Sequence, residues 1–357
     1  MNNTILRKAL VWNGKKNIKV VDKLFPKISK DEAILKVETC CVCGSDLRTY
    51  VHGNKRVSKG SILGHEISGT IIKVGKNVKN FSRGDNVSIG ADIPCRKCQF
   101  CLSGQVNKCE INLAIGYQLE GGFTDFMKLN KLVLKNGPVV KTGKYNDFDK
   151  LALAEPLACC INGFEKCNVI NPKTVTIFGA GAIGQILGKL SFYFGAKKII
   201  LIDKNEKRLK LARKIKSANY FINSKINIRK KIMKITNEVG SDLIFTACSD
   251  IDTHKKAFEI ISRGGTINFF GGLPINSKPI VVSSNNIHYN ELHITGSHGS
   301  TPAQHLKALK LIKNKKINLN GIITHKFNLN ESVKAFDVAL KGEGLKIAIK
   351  PNKIDNV

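Results

Sequence analysis

Residues 174–184 read Thr-Val-Thr-Ile-Phe-Gly-Ala-Gly-Ala-Ile-Gly. The first five are mostly β-branched or aromatic, as suits a strand buried on both faces. They run directly into Gly179, Gly181 and Gly184, a G-x-G-x-x-G spacing. In that spacing the first glycine permits a tight turn, the second lets the backbone approach a pyrophosphate, and the third allows close helix–strand packing. Ala182 and Ile183 then open a helix whose N-terminal amides face the phosphates. A second apolar strand, Lys198–Ile202, ends at Asp203, 19 residues after Gly184. A carboxylate there accepts from both ribose hydroxyls and repels a 2′-phosphate, which favours NAD over NADP. Lys204 and Arg208 follow closely and soften that exclusion, and Arg208 is counted with the cofactor-binding residues.

Around this turn the chain alternates strand and helix. Further strands are expected at Tyr220–Ile222, Asp242–Ala247, Thr266–Phe270 and Leu292–Thr295, with amphipathic helices at Glu206–Ile215 and Ile226–Val239. Six such strands predict a doubly wound parallel sheet. The first ~150 residues read instead as β-rich with glycine turns. Strand patterns there cover Ala33–Val37, Ile67–Val74, Asp85–Ile89 and Gly121–Leu129. The tail carries helical patterns at Ala303–Lys313 and Glu331–Leu340 and a closing strand, Leu345–Lys350. The fold class is therefore α/β, with 1–155 and 300–357 as one domain and 156–299 as the dinucleotide-binding domain.

Cys95, Cys98, Cys101 and Cys109 form a C-x₂-C-x₂-C-x₇-C pattern. Four thiolates in one short loop reach a single tetrahedral zinc, and an all-sulfur set is closed and structural. Upstream, Cys43, His65 and Glu66 form a mixed sulfur, nitrogen and oxygen set, the type that leaves a position open for chemistry. Two zinc ions per subunit and a dinucleotide point to metal-assisted hydride transfer.

The 357 residues exceed one ordinary core, and the 42% apolar fraction is that of a globular protein. The N-terminal Met-Asn-Asn-Thr-Ile-Leu-Arg-Lys lacks an apolar stretch behind its charges, and no run approaches the ~20 residues of a membrane helix. A reducing cytoplasm is the expectation for the 11 cysteines. The net charge of +31 invites a nucleic-acid partner, yet only nine of 58 basic residues are Arg. Arg is the usual bidentate reader of bases and phosphates, so scattered lysines argue for a solvated surface. No specific nucleic-acid partner and no membrane are expected.

Cys43-Gly44-Ser45-Asp46, then Gly64-His65-Glu66 with Gly69, Gly75 and Val78, resembles the zinc-containing alcohol dehydrogenase signature G-H-E-x₂-G-x₅-G-x₂-V. The cysteine lobe, Glu155-Pro156-Leu157 and the glycine turn follow in the family's order, so the resemblance to the medium-chain dehydrogenase/reductase superfamily spans nearly the whole chain. Cys-Gly-Ser-Asp, Glu-Pro-Leu and Phe270-Gly271-Gly272-Leu273-Pro274 look closest to its sorbitol and polyol branch. The resemblance implies a GroES-like catalytic domain. It implies Cys43 and His65 as zinc ligands, Glu155 in the third-ligand place, and Glu66 as an alternate ligand beside the metal. Cys159 and Cys160 remain rivals to Glu155. Asp46 resembles the acid that orients the ligand histidine, and Ser45 the hydroxyl that takes the alcohol proton. Where the family continues the proton relay through a histidine, this chain has Arg48, which releases no proton; either water or His52 would then complete the path, or the path is shorter. His298, after the last sheet strand, is a candidate for contact with cofactor or substrate.

The expected activity is NAD-dependent oxidation of a secondary alcohol of a sugar alcohol, sorbitol or L-iditol in type, to a ketose. The alternatives are a phosphorylated sugar alcohol, L-threonine or a simple secondary alcohol. Outside enzymes, the rival is a zinc-stabilised nucleic-acid-binding protein, which would not need Gly179, Gly181 and Gly184 with Asp203. A zinc-free quinone-reductase-like relative should lack the lobe cysteines and the Gly-His-Glu. Relatives of this kind are dimers or tetramers, so a homo-oligomer is expected.

Overall fold

The computed structural model describes residues 6–25, 27–169, 171–274 and 276–352. The first five residues of the N-terminal stretch read above lie outside them. The chain divides into two compact units. One comprises Met1–Ala158, Gly299–Lys315 and Ile323–Val357; the other comprises Cys159–His298 and Lys316–Ile322.

The second unit holds six parallel strands in the spatial order Tyr220–Asn223, Lys198–Asp203, Thr174–Phe178, Ser241–Thr246, Ile261–Phe269, His293–Gly296. This is the doubly wound order, in which ligands bind where the strand sequence reverses. The reversal falls between Thr174–Phe178 and Ser241–Thr246. Phe178, Ile200, Ile202, Ile222, Ile244 and Ile267 fill one face of the sheet. The helix expected over Ile226–Val239 is shorter, Ile228–Thr236. Asn227 caps its start, and left-handed Asn237 ends it by turning its amide back to Met233.

The first unit is built on a seven-stranded sheet. Its path runs Val139–Lys141, Asn86–Ile89, Glu66–Val74, Ala33–Cys41, Lys346–Lys350, Ile323–Asn328. Phe126–Leu129 also pairs with Ala33–Cys41. Leu10, Leu35, Ile67, Phe123, Phe336 and Ile349 belong to one buried cluster over this sheet. The strand pattern at Gly121–Leu129 is realised only from Phe126. Gly121, Gly122 and Phe123 instead donate their amides to Ile62, Gly64 and Leu63, so the segment lies along the chain that leads to His65.

Register brings distant residues to one point. Cys41 sits opposite Glu66 in the antiparallel pair of Ala33–Cys41 with Glu66–Val74. Cys41 is also opposite Ala348 on its other side. Lys346 and Glu66, 280 residues apart, thereby come together beside the chain that continues into Cys43. Among the described residues, no helix is long and apolar enough to cross a membrane.

Candidate functional site

Cys43 is the residue before the helix Gly44–His52, and its backbone amide is held by Asp46 Oδ2 at 2.9 Å. The other oxygen of the same carboxylate accepts from the Gly64 amide at 3.3 Å and lies 3.5 Å from His65 Nδ1. One buried acid thus ties the helix start to the loop carrying His65, and leaves the other ring nitrogen, Nε2, for a ligand. Ser45 Oγ stands 3.4 Å from that Nε2.

The Cys43, His65 and Glu66 donor atoms lie within 4.8 Å of one another. Glu66 opens its strand fully buried; Oε1 accepts from Lys346 Nζ at 2.6 Å, while Oε2 is buried without a hydrogen-bond partner. Lys346 also donates to the Val42 carbonyl at 3.3 Å. Burial works against its ammonium form, but the Glu66 carboxylate outweighs that and holds it above the ordinary lysine range. Burial likewise works against a His65 cation, and Asp46 and Cys43 outweigh it, raising its proton affinity. Surroundings that favour a cation on this imidazole also suit a metal cation. A thiol, an imidazole and an orphaned carboxylate oxygen at mutual ligand distance fit zinc.

Glu155 lies in the first turn of the helix Ala154–Cys167 and is buried. Burial pushes its carboxyl up to about 7, with His65 and Lys346 pulling it down and Glu66 and Asp92 pushing it up. It therefore shares the field of the cluster while standing outside the three-residue ligand set. Cys160 turns elsewhere, its Sγ 4.0 Å from the Ile183 carbonyl.

The lobe cysteines Cys95, Cys98, Cys101 and Cys109 also place their sulfurs within 4.8 Å of one another. Loop amides point at those sulfurs, from Cys95 to Cys109 at 3.3 Å and from Cys98 to Cys95 at 3.4 Å. Such donors favour thiolate and pull Cys95 and Cys98 down, while burial pushes Cys101 up to about 12. All eleven cysteines are free of disulfides.

In the other unit, the strand Thr174–Phe178 delivers the glycine turn to the N-terminus of the helix Ala182–Tyr193. A Cβ on Gly184 would meet the Gly179 carbonyl oxygen at 1.7 Å, so only glycine lets helix and turn close. Ala182 is buried and Ile183 partly exposed in the helix's first turn. Asp203, at the next strand's end, accepts from the Ala180 amide at 2.7 Å and the Asn205 amide at 2.7 Å. Arg208 brings a guanidinium nitrogen to 4.0 Å from the Cβ position of Gly181, and its Nε is buried without a partner. A helix N-terminus behind a glycine turn, with a cation at its rim, suits a dinucleotide's phosphates. His298 accepts through its carbonyl from Asn162 at 3.3 Å.

Two residues at the metal cluster were not foreseen. Nothing in the sequence marks Lys346, whose place depends on sheet register. Tyr117 was also passed over, although it closely follows the lobe in an Ile-Gly-Tyr step. Its ring lies 5.9 Å from that of His65, tilted by 43°.

Residues 29–138 match the alcohol dehydrogenase GroES-like domain family, and residues 182–314 match the zinc-binding dehydrogenase family. D-arabinitol dehydrogenase 1 of Uromyces fabae is 29% identical over 351 residues, 96% of this chain and 97% of that protein. Sorbitol dehydrogenase of Halalkalibacterium halodurans is 28% identical over 350 residues, 96% of this chain and 99% of that protein. Among solved structures, a zinc-binding dehydrogenase of Sinorhizobium meliloti bound to NADP superposes with a TM-score of 0.89 at 26% identity, covering 97% of this chain and 100% of that one. Zinc and a nicotinamide dinucleotide are the cofactors these matches support, and the activity is that of an alcohol or polyol oxidoreductase. The chain belongs to the zinc-containing medium-chain alcohol dehydrogenase superfamily.

Proposed function

We propose that the protein oxidises a secondary hydroxyl of an unphosphorylated sugar alcohol to a ketose, with NAD as the hydride acceptor. The observation that carries the reading is the set of half-buried Cys43 with buried His65 and Glu66, and its unpartnered carboxylate oxygen. Cys43, His65 and Glu66 would hold the catalytic zinc, with Glu155 as the acid that exchanges with Glu66 or joins it. Cys95, Cys98, Cys101 and Cys109 would hold the structural zinc. Gly179, Gly181, Ala182, Ile183, Gly184, Asp203 and Arg208 would cradle the dinucleotide. Eleven cysteines without a disulfide suit a reducing compartment.

When bound, zinc supplies a Lewis acid that acidifies the alcohol hydroxyl, and the nicotinamide supplies the hydride acceptor. The chain's own part is to orient and to move a proton. Asp46, its Oδ1 3.5 Å from His65 Nδ1, supplies the charge that would orient the ring once Nε2 holds the metal. Ser45, two residues from Cys43, receives the alcohol proton on Oγ as it passes its own hydroxyl proton to water. The nearby Glu66 and Glu155 carboxylates favour a polyol, because further hydroxyls can donate to them. Asp203 accepts from the adenosine ribose hydroxyls once these replace the amides it now binds. Arg208 offers a counter-charge, so NADP is a weaker alternative to NAD.

The test is NAD reduction by zinc-loaded protein over D-arabinitol, sorbitol, xylitol, galactitol, their phosphates, L-threonine and 2-butanol. An unphosphorylated polyol should give the highest kcat/KM, and chelation should abolish turnover until zinc returns. Preference for a phosphate ester or threonine would overturn the substrate reading. Turnover without zinc would overturn the mechanism.

A further inference from the structure

Charge is not spread evenly along the chain. Residues 204–234 hold 12 of the 58 basic residues and one of the 27 acidic ones, a net +11 within 31 residues. The other 326 residues share the remaining +20. The basic segment forms one edge of the six-stranded sheet, as the helix Glu206–Ile215, the strand Tyr220–Asn223 and the helix Ile228–Thr236. Among the described strands, Tyr220–Asn223 pairs only with Lys198–Asp203, so it is the sheet's outermost strand.

The two helices cover opposite faces of that strand. Ile222 shares a buried cluster with Ile228 and Ile232 of the later helix. Phe221, the residue before it and so on the other face, lies under the Arg213 guanidinium of the earlier helix, 5.4 Å from its ring centroid. In the earlier helix Leu209 and Ala212 are buried, while Lys207, Lys210 and Lys214, at i, i+3 and i+7, form one exposed stripe. In the later helix Ile228 and Ile232 are buried, while Lys230 and Lys234, four apart, are exposed, as are Arg229 and Lys231. Each stripe lies opposite the residues its helix buries on the sheet, so the two face away from it in opposite directions. The single acid, Glu206, is already held by Arg213 at 2.8 Å. The first turn of Ile228–Thr236 carries Arg229, Lys230 and Lys231 and no acid, although the helix dipole disfavours cations there. A local rule broken with no acidic partner in the turn points to a role outside the fold.

We propose that this edge binds single-stranded nucleic acid through its phosphates, without sequence preference. Three features select that occupant. Nine of the twelve cations are lysines, point charges that attract phosphate rather than read base edges. The stripes face opposite ways, so a flexible chain crossing the edge meets both, whereas a flat bilayer meets one. Tyr220, 38% exposed on the strand between them, offers a ring on which a base can stack.

The test is fluorescence anisotropy of a labelled oligouridylate of roughly 20 nucleotides, titrated with zinc-loaded protein between roughly 50 and 200 mM salt. With about six phosphates engaged, log K should fall against log salt with a slope of about −4. Changing Lys210, Lys214, Lys230 and Lys234 together to Gln should weaken binding about tenfold or more and flatten the slope to about −1.4. A matched variant with the exposed Lys135, Lys144, Lys313 and Lys341 changed to Gln should bind within about twofold of wild type. Tyr220→Ala should weaken the oligouridylate about fivefold or more and leave binding of inorganic polyphosphate unchanged. NADH binding, which uses none of the substituted residues, checks that each variant is folded. Equal losses in the two lysine variants, or no binding by wild type at 100 mM salt, would overturn the site. An unchanged Tyr220→Ala would overturn nucleic acid in favour of a bare polyphosphate. Capture by phosphatidylserine vesicles but not by oligouridylate would overturn it in favour of a membrane surface.

Discussion

Replacing Lys346 by methionine keeps most of the side chain's volume and removes its charge. In the fold, Lys346 Nζ is 2.6 Å from Glu66 Oε1, with side-chain exposures of 5% and 1%. At an effective dielectric of 20 the pair's attraction is about 6 kcal/mol before desolvation is subtracted. Removing one partner of such a buried pair costs about 3–5 kcal/mol, because the remaining charge is stranded. The Val42 carbonyl loses its donor as well. Zinc changes this sum. If Glu66 turns toward the metal, a second cation neutralises the carboxylate and part of the loss is recovered. The assay is urea denaturation of wild type and Lys346→Met, each zinc-loaded and chelated. The lobe cysteines share no partner with Lys346, so their zinc contributes equally to both proteins and cancels. The chelated variant should lose about 3–5 kcal/mol, and the loaded variant at least about 1.4 kcal/mol less. By linkage, the variant then binds zinc roughly tenfold tighter or more. Equal losses in the two forms would refute the reasoning, leaving Glu155 as the acid that reaches the metal.

Cys98→Ser should cut bound zinc by one ion per subunit in elemental analysis and lower the unfolding midpoint, since structural zinc contributes folding energy directly. Gly184→Val should raise the NADH dissociation constant on the order of 100-fold or more by fluorescence titration, because its Cβ would overlap the Gly179 carbonyl at 1.7 Å. His305 is fully buried, and burial pushes it down to about 4 from an ordinary 6.5. Its neutral form therefore supports the fold fully above pH 6.5, and that support drains away as pH falls toward 4. The loss relative to His305→Asn should reach about 2 kcal/mol by pH 5 in denaturation series, and parallel curves would refute it. The geometry agrees: Ser88 donates to the Leu151 carbonyl at 2.8 Å and must accept from His305 Nε2 at 3.0 Å, leaving a bare, buried Nδ1.

What could be read from the sequence, and what could not, divides by the range of the interaction that places each residue. The dinucleotide turn was legible because its constraints are local: Gly184 meets Gly179, five residues away, and the strand before it is β-branched or aromatic throughout and uniformly buried. The sulfur lobe was legible for the same reason, its four ligands falling within 15 residues. Cys43, His65 and Glu66 were legible as a mixed set of metal-capable residue types, their separate roles only through a resemblance, and the fold brings their donor atoms within 4.8 Å of one another, with one buried acid, Asp46, bridging 18 residues to Gly64. Lys346 and Tyr117 carry no local mark at all. The first is set by a strand register shared among three segments, the second by a glycine pressed on another glycine 52 positions away. The strand pattern at Gly121–Leu129 went wrong for a related reason. The amides of Gly121, Gly122 and Phe123 were claimed by the segment before His65, so that stretch serves the metal loop before it serves the sheet. The features that surround this site, a lysine bonded to the Glu66 carboxylate and a tyrosine ring against His65, are tertiary in origin. A change at the lysine would leave every sequence motif intact while altering metal affinity.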